Sequence, residues 1–431
     1  MNILILGSSG FLGSWVTSRL LNRGHQVICA VRQEESARAR YPNAQVFTCD
    51  FLNEQSTAAW LQRLANIDVI INCAGIFYHY DKKIMWALHY NTPKIIYEAA
   101  RQARIKKIIH ISALGIENYD NDYAKSKLAA EKCLHSLGIP YIILRPSFIY
   151  GPGSAGSMTV LRTISALPLL IPIPGKGEQT FQPIHVSDLS KAVVNFCEKQ
   201  ISASLTLAAV SSKPISLKNI LLSLRQWLGL KKARLLRIPI RLINIFAVVG
   251  NYISYSVINS AAIQMLERGN RATPEQTEAF IKAAGFSPMN FNEGLNKTPA
   301  AIQDKWYARL FFMRPLLRIS LAFMWLVAAM VSLLPVSVKD AYQLLGESGI
   351  NSSWQSPLLY SAVMLNALIG MALLLNYRTK LICLVQIVVI LVYTLIITFR
   401  LPYFWLEPFG PVVKNIPILV SIAMLYFMEK K

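Results

Sequence analysis

Acidic residues are scarce in this chain, which carries 23 Asp and Glu against 44 Lys and Arg and has a formal net charge of +21 over 431 residues. Charged residues make up only 16% of the sequence, below the usual quarter of a soluble protein. The basic residues neither cluster with aromatic residues nor form a known nucleic-acid motif, so we expect no nucleic-acid partner. Attraction to anionic membrane lipid explains the charge better.

Cysteine and histidine are also few, and their spacing excludes several classes of protein. The six cysteines are scattered without a CxxC pair, which indicates buried thiols in a reducing compartment rather than disulfides or a zinc site. The six histidines all lie at or before His185 and form no metal-type pair, so we expect no metal. The N-terminus lacks the basic region and the apolar length of a signal peptide, which predicts a cytoplasmic first domain.

Short apolar runs alternate with helical patterns through the first part of the chain, at residues 2–6, 27–31, 46–49, 69–72, 107–112 and 141–144. This alternation predicts an α/β fold with a doubly wound parallel sheet of the Rossmann type. After Arg145 the pattern loosens into loops and further helices, which predicts a small substrate lobe. We therefore expect a nucleotide-binding domain over residues 1–300, with the lobe mainly at 146–300, and a transmembrane domain over 306–431.

Long hydrophobic runs close the chain and predict an all-α bundle of about four transmembrane helices, at residues 315–335, 358–376, 381–399 and 412–428. Each approaches the roughly 20 residues needed to cross a bilayer. Lys414 and Pro417 shorten the last run. The flanking basic residues satisfy the positive-inside rule if both termini are cytoplasmic in a bacterial inner membrane; these are Lys305, Arg309, Arg314, Arg318, Arg378, Lys380, Lys430 and Lys431.

A stretch without any acid lies between Glu198 and Glu267. It contains long apolar runs and the basic residues Lys213, Lys218, Arg225, Lys231, Lys232, Arg234, Arg237 and Arg241. An amphipathic basic segment can lie on an anionic membrane surface. A solvated basic face over an ordinary core helix explains the same pattern, and the sequence leaves both interpretations open.

A glycine-rich turn follows the first predicted strand and opens the first predicted helix. It consists of Gly7, Ser8, Ser9, Gly10, Phe11, Leu12 and Gly13, a GxxGxxG pattern. Glycines permit the tight turn and a close approach of the backbone, while the helix N-terminus offers unpaired N–H groups to phosphates. The position after a strand and before a helix is the one that this mechanism requires, so we predict a dinucleotide pyrophosphate site.

Residues after the next strands predict the rest of the cofactor site. Arg32 follows the second strand where an acid would bind the ribose 2′-hydroxyl of NAD, and an arginine there accommodates the 2′-phosphate of NADP. We therefore expect NADP rather than NAD. Asp50, next to Phe51, is placed to accept a hydrogen bond from the adenine amino group. The small residues Cys73, Ala74 and Gly75 allow the adenosine half to pack against the backbone.

Tyr123 and Lys127 form a YxxxK pattern on a predicted helix, downstream of Ser112 at a strand end. Residues four apart share one helix face. A nearby ammonium favours the phenolate, so we expect Lys127 to lower the pKa of Tyr123. The tyrosine could then exchange a proton with a substrate hydroxyl or carbonyl near neutral pH, while Ser112 hydrogen-bonds the same oxygen.

Together these motifs resemble the extended short-chain dehydrogenase/reductase superfamily, in particular its NAD-dependent epimerase/dehydratase-like members. The stretches 24–27, 144–152 and 184–188 are similar to that family as well. The resemblance implies hydride transfer at a nicotinamide, with Tyr123 as acid/base, Lys127 holding the ribose, and Ser112 orienting the substrate. By the family pattern, Asn91 joins a proton relay. Pro146 and Ser147 lie near the nicotinamide.

Two features depart from the usual enzymes of that family. The loop from Ser112 to Tyr123 is short, and Ala113 stands where a second hydroxyl residue is common. In this the chain resembles an atypical branch that includes the nucleotide-binding accessory subunit of respiratory complex I. That branch contains members that bind NADPH tightly as a structural cofactor. The C-terminal runs resemble a DoxX-like membrane domain.

Two functional hypotheses follow. The first is an NADP-dependent oxidoreductase or epimerase anchored in the membrane, with membrane lipid as surroundings and a lipophilic or lipid-linked small molecule as substrate. The second is a non-catalytic NADPH-binding subunit of a membrane complex, which would have a membrane-protein partner.

Overall fold

The computed structural model describes residues 1–54, 56–154, 156–200, 203–250, 260–408 and 410–429. Lys430 and Lys431, which entered the topology prediction, lie outside the described residues. The chain divides into two compact units, Met1–Ala308 and Arg309–Lys431. They are called unit 1 and unit 2 below.

Unit 1 is built on a seven-stranded parallel sheet in the order β11-β6-β5-β4-β1-β2-β3. These strands are β1 (Asn2–Leu6), β2 (Gln26–Val31), β3 (Gln45–Thr48), β4 (Val69–Asn72), β5 (Lys107–Ile111), β6 (Tyr141–Pro146) and β11 (Leu205–Ala209). The order reverses at β1, as in Rossmann folds, where ligands bind beyond the carboxyl ends of the strands. The prediction of a doubly wound parallel sheet is confirmed.

Helices cover both faces of this sheet. They are α1 (Phe11–Asn22), α2 (Glu34–Arg40), α3 (Thr57–Arg63), α4 (Lys82–Trp86), α5 (Thr92–Gln102), α6 (Asp122–Ser136) and α8 (Val186–Glu198), with a π-helical turn at Ala87–Asn91 and a 3₁₀ turn at Ile116–Asn118. Successive strand residues point to opposite faces. Ile3 and Ile5 therefore join one apolar core, with α1 and α8, and Leu4 and Leu6 join the other, with α3 and α5.

Short strand pairs and further helices form a lobe after residue 146. The strands are β7 (Ile149–Tyr150), β8 (Leu170–Pro174), β9 (Thr180–Phe181), β10 (Ile184–His185), β12 (Ile215–Ser216) and β13 (Arg234–Ile238). The helices are α7 (Ser157–Ser165), α9 (Leu217–Trp227), α10 (Ile240–Gly250), α11 (Ser260–Arg268), α12 (Pro274–Ala284), α13 (Phe291–Lys297) and α14 (Ile302–Leu310). Tyr150, Phe181 and Phe291 are buried in a separate core that holds the lobe together.

Unit 2 is helical, as predicted, with α15 (Met313–Val331), α16 (Pro335–Glu347), α17 (Ser352–Leu374), α18 (Thr379–Arg400) and α19 (Asn415–Met428), and a 3₁₀ turn at Pro402–Trp405. Three described helices are long and apolar enough to cross a membrane: Ile302–Val331, Ser352–Leu374 and Thr379–Arg400. The fourth predicted span is a helix of 14 residues. It begins at Asn415, and Pro417 lies in its first turn, where a proline is tolerated.

Candidate active site

The glycine loop between β1 and α1 leaves no room for side chains at two positions. Gly7 has φ +77°, and a Cβ there would lie 2.9 Å from the backbone nitrogen of Ala74. A Cβ at Gly13 would lie 2.1 Å from the carbonyl oxygen of Gly7. Gly10 caps the helix without any side-chain acceptor, so the first amides of α1 need another partner. Ser9 and Gly10 are exposed and Leu12 is buried beneath them, which fits a phosphate site above the loop.

The end of β2 presents Arg32 to solvent, while the nearest acid is engaged elsewhere. Glu34 accepts hydrogen bonds from Arg38 Nε at 2.8 Å and from the Thr48 hydroxyl at 2.8 Å. Both bonds lower the pKa of the Glu34 carboxyl, the one from Arg38 most. Among the described residues no ion pair involves Arg32, so its guanidinium remains available to an anion beside the β2 end.

The adenosine side of the predicted site is formed by two further turns. The Asp50 carboxylate accepts the backbone N–H of Leu52 at 3.2 Å and the Asn53 amide at 2.9 Å, and Phe51 is buried behind it. After β4, the Ala74 N–H donates to Asn72 Oδ1 at 3.0 Å, which fixes the turn that runs through Cys73. The role of Asp50 toward adenine stays a prediction.

Most of the predicted residues meet in one cavity of about 330 Å³ at the carboxyl ends of the central strands. Its lining includes Phe11, Leu12, Cys73, Ala74, Gly75, Ser112, Tyr123, Lys127, Pro146 and Ser147. These residues come from five segments spread between positions 11 and 147, and the parallel sheet brings them to a single edge. The cavity is therefore the candidate active site.

Ser112 contributes a hydroxyl that has no partner. Its backbone N–H donates to the Leu144 carbonyl at 2.8 Å, which fixes the residue at the end of β5. Its Oγ is buried, and within the described residues nothing hydrogen-bonds it. A buried hydroxyl without a partner costs free energy, so a ligand oxygen in the cavity is the natural partner.

Tyr123 and Lys127 lie in the first turns of α6, whose start is fixed by the Asn121 side chain accepting the Ala124 N–H at 2.9 Å. Lys127 Nζ donates to the Ile111 carbonyl at 2.9 Å. Burial raises the pKa of Tyr123 to about 12 and lowers the pKa of Lys127 to about 8. The predicted lowering of the Tyr123 pKa by Lys127 is wrong for this structure, because loss of water around the phenol outweighs any effect of the ammonium.

His89 is a cavity neighbour that the sequence analysis missed. Its Nε2 accepts the Ile76 N–H at 3.2 Å, so its Nδ1 carries the proton and donates to Ser126 Oγ at 2.8 Å. Burial, and next the charge of Lys127, hold the pKa of His89 well below its usual value, so the ring is neutral. The ring packs edge-on against Tyr123 with 5.6 Å between centroids. In the sequence, the one residue that could have pointed to His89 is Ser126, its hydrogen-bond partner inside the YxxxK stretch.

Asn91, predicted from the family pattern to join a proton relay, does not line the cavity. It is the last residue of the π-helical turn Ala87–Asn91, and its side chain is exposed. The turn directs His89, two residues earlier, toward Tyr123 instead. The structure thus gives Asn91 no contact with the other three predicted catalytic residues.

Asn270 is a second residue that sequence reasoning missed. The Ser147 hydroxyl donates to the backbone carbonyl of Asn270 at 3.0 Å. The Asn270 side-chain Nδ2 donates to the Leu114 carbonyl at 3.0 Å. Its Oδ1 is buried and has no partner in the described parts of the chain, although the residue lines the cavity. No motif could reveal it, because it stands more than 120 residues from Ser147 and reaches the site only through the lobe.

The remaining lining of the cavity is mostly apolar. It includes Ile76, Phe77, Phe148, Ile149, Met158 and Met265, and the only charged side chain among its described lining residues is that of Lys127. Such a site can hold an uncharged, apolar group with one polar oxygen directed at Ser112 and Tyr123. Among the described residues no group of three His, Cys, Asp or Glu side chains could hold a metal ion.

Two families match this chain in separate regions. Residues 3–204 match the NAD dependent epimerase/dehydratase family, and residues 322–423 match the DoxX-like family. The resemblance seen in the motifs is confirmed: the chain combines an epimerase/dehydratase domain of NAD(P)-dependent oxidoreductase type with a C-terminal DoxX-like domain.

Three curated relatives are similar to part of this chain. The chain is 27% identical over 239 residues to a ceramide reductase of Caulobacter vibrioides, which covers 55% of this chain and 73% of the relative. It is 26% identical over 216 residues to mouse NADH dehydrogenase [ubiquinone] 1 alpha subcomplex subunit 9, which covers 47% of this chain and 55% of the relative. It is 24% identical over 201 residues to mouse sterol-4-alpha-carboxylate 3-dehydrogenase, which covers 41% of this chain and 51% of the relative. The chain thus spans about half the length of the two mouse relatives.

Solved structures share the fold of unit 1. MoeE5 in complex with UDP-glucose and NAD has a TM-score of 0.54 at 18% identity, covering 72% of this chain and all of the other. The Citrobacter triphenylmethane reductase complexed with NADP(H) has a TM-score of 0.54 at 19% identity, covering 69% of this chain and 99% of the other. At such identities the likeness shows the fold alone, and the two structures hold different nicotinamide dinucleotides.

Proposed function

We propose that this chain, with its epimerase/dehydratase and DoxX-like domains, is a membrane-anchored, NADP-dependent oxidoreductase or epimerase acting on a lipophilic or lipid-linked substrate. One observation carries the proposal: Ser112, Tyr123 and Lys127 converge in a mostly apolar cavity beside the glycine loop. The uncapped first turn of α1 and the unpartnered hydroxyl of Ser112 both fit a bound dinucleotide and its substrate.

The residues of the cavity divide the chemistry between them. A bound nicotinamide would supply or accept the hydride. Tyr123, protonated at neutral pH, donates a proton to a substrate carbonyl oxygen, and Ser112 Oγ donates a second hydrogen bond to the same oxygen. With the phenol in its acid form, Tyr123 is ready to act as the proton donor in reduction of a carbonyl, whereas oxidation of an alcohol would need the phenolate.

The preference for NADP rests on Arg32. The residue is exposed beside the end of β2, where a 2′-phosphate would lie, and Glu34 is held by Arg38 and Thr48 and so does not compete for the ribose. An arginine directly after β2, with no acid at positions 31 to 33, supports a 2′-phosphate over a 2′-hydroxyl.

The substrate class follows from the lining and from the relatives. Among the described lining residues Lys127 is the single charged one, and none is an arginine that could bind the diphosphate of a nucleotide sugar. A lipid or other apolar alcohol or carbonyl compound fits it better. Two of the relatives carry names that include a lipid substrate, ceramide and a sterol carboxylate.

The location we propose is a bacterial inner membrane, with unit 1 and both termini on the cytoplasmic side. Three described helices have the length and composition to span a bilayer, and the shorter apolar helix α19 (Asn415–Met428) would be the fourth crossing that brings both termini to one side. Arg378 lies just before the span Thr379–Arg400 and Lys380 lies in its first turn, while Arg309 and Arg314 lie in the first half of the span Ile302–Val331. Basic residues at these positions support this orientation by the positive-inside rule.

The test measures NADPH oxidation by the full chain in proteoliposomes supplied with a total membrane lipid extract. Tyr123→Phe should lower kcat by about 10²- to 10⁴-fold, the usual contribution of a positioned acid, while nucleotide binding is retained. Tyr80→Phe, an exposed tyrosine outside the cavity, is the matched control and should turn over like wild type. Equal rates for the Tyr123→Phe variant and wild type would remove the tyrosine from the mechanism.

A second candidate function is supported by the Lys127 contact. The ammonium bonds the Ile111 carbonyl, and burial leaves Tyr123 with a raised pKa, so the residues also suit a protein that binds NADPH without turnover. The similarity to a subunit of mitochondrial NADH dehydrogenase favours the same candidate. Purification with stoichiometric NADPH, no turnover on any lipid extract and a co-purifying membrane protein would replace the enzyme proposal with this one.

The nucleotide preference has its own test. Arg32→Asp should weaken NADPH binding about tenfold or more and strengthen NADH relative to it, because it removes a charge-assisted contact and adds a repulsive one. Equilibrium titration of both nucleotides measures the ratio, with Arg40→Asp on the same exposed segment as control. An unchanged ratio would place the 2′-phosphate away from Arg32.

A further inference from the structure

A surface of the lobe, at a distance from the cavity, combines exposed leucines with unpaired basic residues. It consists of the outward face of the β8–β13 pair and the first turns of α10, and is called the ribbon surface below. In the parallel pairing, Leu236 lies opposite Pro172 and Arg234 opposite Leu170. Ile171 and Ile173 point inward and are buried in the lobe core, so the alternate residues of both strands face solvent.

The apolar part of the ribbon surface is unusually exposed for a water-soluble domain. Leu169 is 78% exposed, Ile245 is 63% exposed, and Leu170, Leu236 and Leu242 are each exposed by more than two fifths. Single exposed leucines are ordinary, but a group on neighbouring elements marks an interaction site.

Basic side chains surround these leucines. Lys231, Lys232, Arg234 and Arg241 are all exposed, and no ion pair within the described residues involves any of them. The sequence places no acid between Glu198 and Glu267, so the segment itself offers them no counter-charge. Their natural counter-ions are therefore negative groups outside the chain.

A buried arginine fixes the ribbon surface in place. Arg225 on α9 is only 5% exposed, and its guanidinium donates to the carbonyls of Ser165 and Leu167, at 2.8 and 2.7 Å. It also bonds the carbonyl of Lys231. The same side chain thus ties the segment before β8 to the segment before β13, so the leucines and basic residues are presented by a rigid frame.

We infer that the ribbon surface docks on the anionic face of a lipid bilayer, with its leucines in the headgroup region and its basic residues on lipid phosphates. Leucines ringed by lysine and arginine are the composition of surface-bound membrane segments. The chain also carries three helices of membrane-spanning length, so a bilayer is always present at high effective concentration. A nucleic acid would bind the basic residues alone and leave the exposed leucines in water, whereas a bilayer takes up both.

The docked surface is connected to the cavity through the lobe. α7 begins with Ser157 and Met158, which line the cavity, and ends at Ser165, whose carbonyl Arg225 holds. Docking would therefore bring the cavity close to the bilayer that supplies a lipophilic substrate. The docking itself does not depend on turnover and holds equally for a non-catalytic protein.

Hydrogen exchange of the full chain in nanodiscs tests the inference. We expect amides at 231–245 to exchange about tenfold more slowly in phosphatidylcholine discs containing phosphatidylglycerol than in pure phosphatidylcholine discs, with the difference shrinking at high salt. The triple variant Lys232→Gln, Arg234→Gln and Arg241→Gln should lose this difference. The control removes the same charge from exposed positions elsewhere in unit 1, by Lys83→Gln, Arg101→Gln and Lys282→Gln, and should keep it.

Three outcomes would overturn docking on anionic lipid. The first is an exchange rate at 231–245 that is the same in both kinds of disc. The second is a difference between the two kinds of disc that is as large in the triple variant as in wild type. Slower exchange in detergent that grows with protein concentration would assign the surface to a second copy of the chain instead. None of these outcomes bears on the loss of turnover expected for Tyr123→Phe, so the two proposals can fail separately.

Discussion

The two units place their large apolar side chains in opposite ways. In unit 1, Trp60 and Phe196 are buried against the sheet. In unit 2, Phe323 is 68% exposed and Phe427 is 82% exposed, whereas Gln386 is fully buried. One unit follows the pattern of a protein in water, and the other follows the pattern of a protein whose surroundings are apolar.

The difference teaches what holds each unit together. Unit 1 gains stability by removing apolar surface from water. In a bilayer that gain is absent between helices, so unit 2 relies on close packing and interior hydrogen bonds. Gly370 allows such packing, since a Cβ there would lie 2.6 Å from Leu326 Cγ. Trp325 Nε1 donates to Gln386 Oε1 at 2.8 Å between two helices.

The largest effect should come from exchanging a phenylalanine for alanine in each unit. Phe196→Ala opens a cavity in the unit 1 core and should lower the free energy of unfolding by about 3–5 kcal/mol. Phe323→Ala in unit 2 should change it by less than about 1 kcal/mol in nanodiscs, because lipid fills the space. Denaturant unfolding of the full chain, followed by near-ultraviolet circular dichroism, measures both. Equal costs would contradict the opposite arrangement of the units.

The pH dependence of unit 1 should reveal the buried lysine of the cavity. Burial lowers the pKa of Lys127 from 10.5 to about 8, so between these values the unfolded chain binds more protons and the free energy of unfolding rises with pH. The free-energy cost of burying the charged Lys127 ammonium in the folded state, about 3 kcal/mol, is fully present below pH 8 and absent above pH 10.5. Lys127→Met should remove this rise.

The measurement is the difference in unfolding free energy between the variant and wild type at a series of pH values. Lys132→Met, on the exposed side of the same helix, is the control and should leave the pH dependence of wild type intact. The difference in unfolding free energy between Lys127→Met and wild type should change from pH 7 to pH 11. If this difference is constant, Lys127 is not desolvated. The cavity would then be open to water.

The smallest effect concerns the interior hydrogen bond of unit 2. Gln386→Leu leaves the Trp325 N–H without a partner and should cost about 1 kcal/mol in nanodiscs, the usual size for interhelical bonds in membranes. Val388→Leu on the exposed side of the same helix is the control. Thermal unfolding of unit 2, followed by helical circular dichroism, compares them. A stabilised Gln386→Leu variant would show that apolar packing alone holds this unit.

Local pattern was sufficient for the sheet and the glycine loop. A buried parallel strand needs a continuous apolar run, and a phosphate-binding turn needs glycines at fixed positions, so β1, β4 and Gly7 to Gly13 could be read from adjacent residues. The pairing of Tyr123 with Lys127 follows from helical spacing in the same way. Asn91 shows the limit of pattern, because a π-helical turn rotates the chain and exposes it while His89 points inward.

The sequence by itself determined the two kinds of solvent that this protein meets, because the balance of apolar and charged residues along the chain is a local property. Only the tertiary structure decided the protonation of the cavity and the residues that complete it. The pKa of Tyr123 depends on how much water the lobe excludes, and Asn270 and the ribbon surface are assembled from segments distant in sequence. Burial and long-range contacts arise from packing, which no spacing of residues encodes.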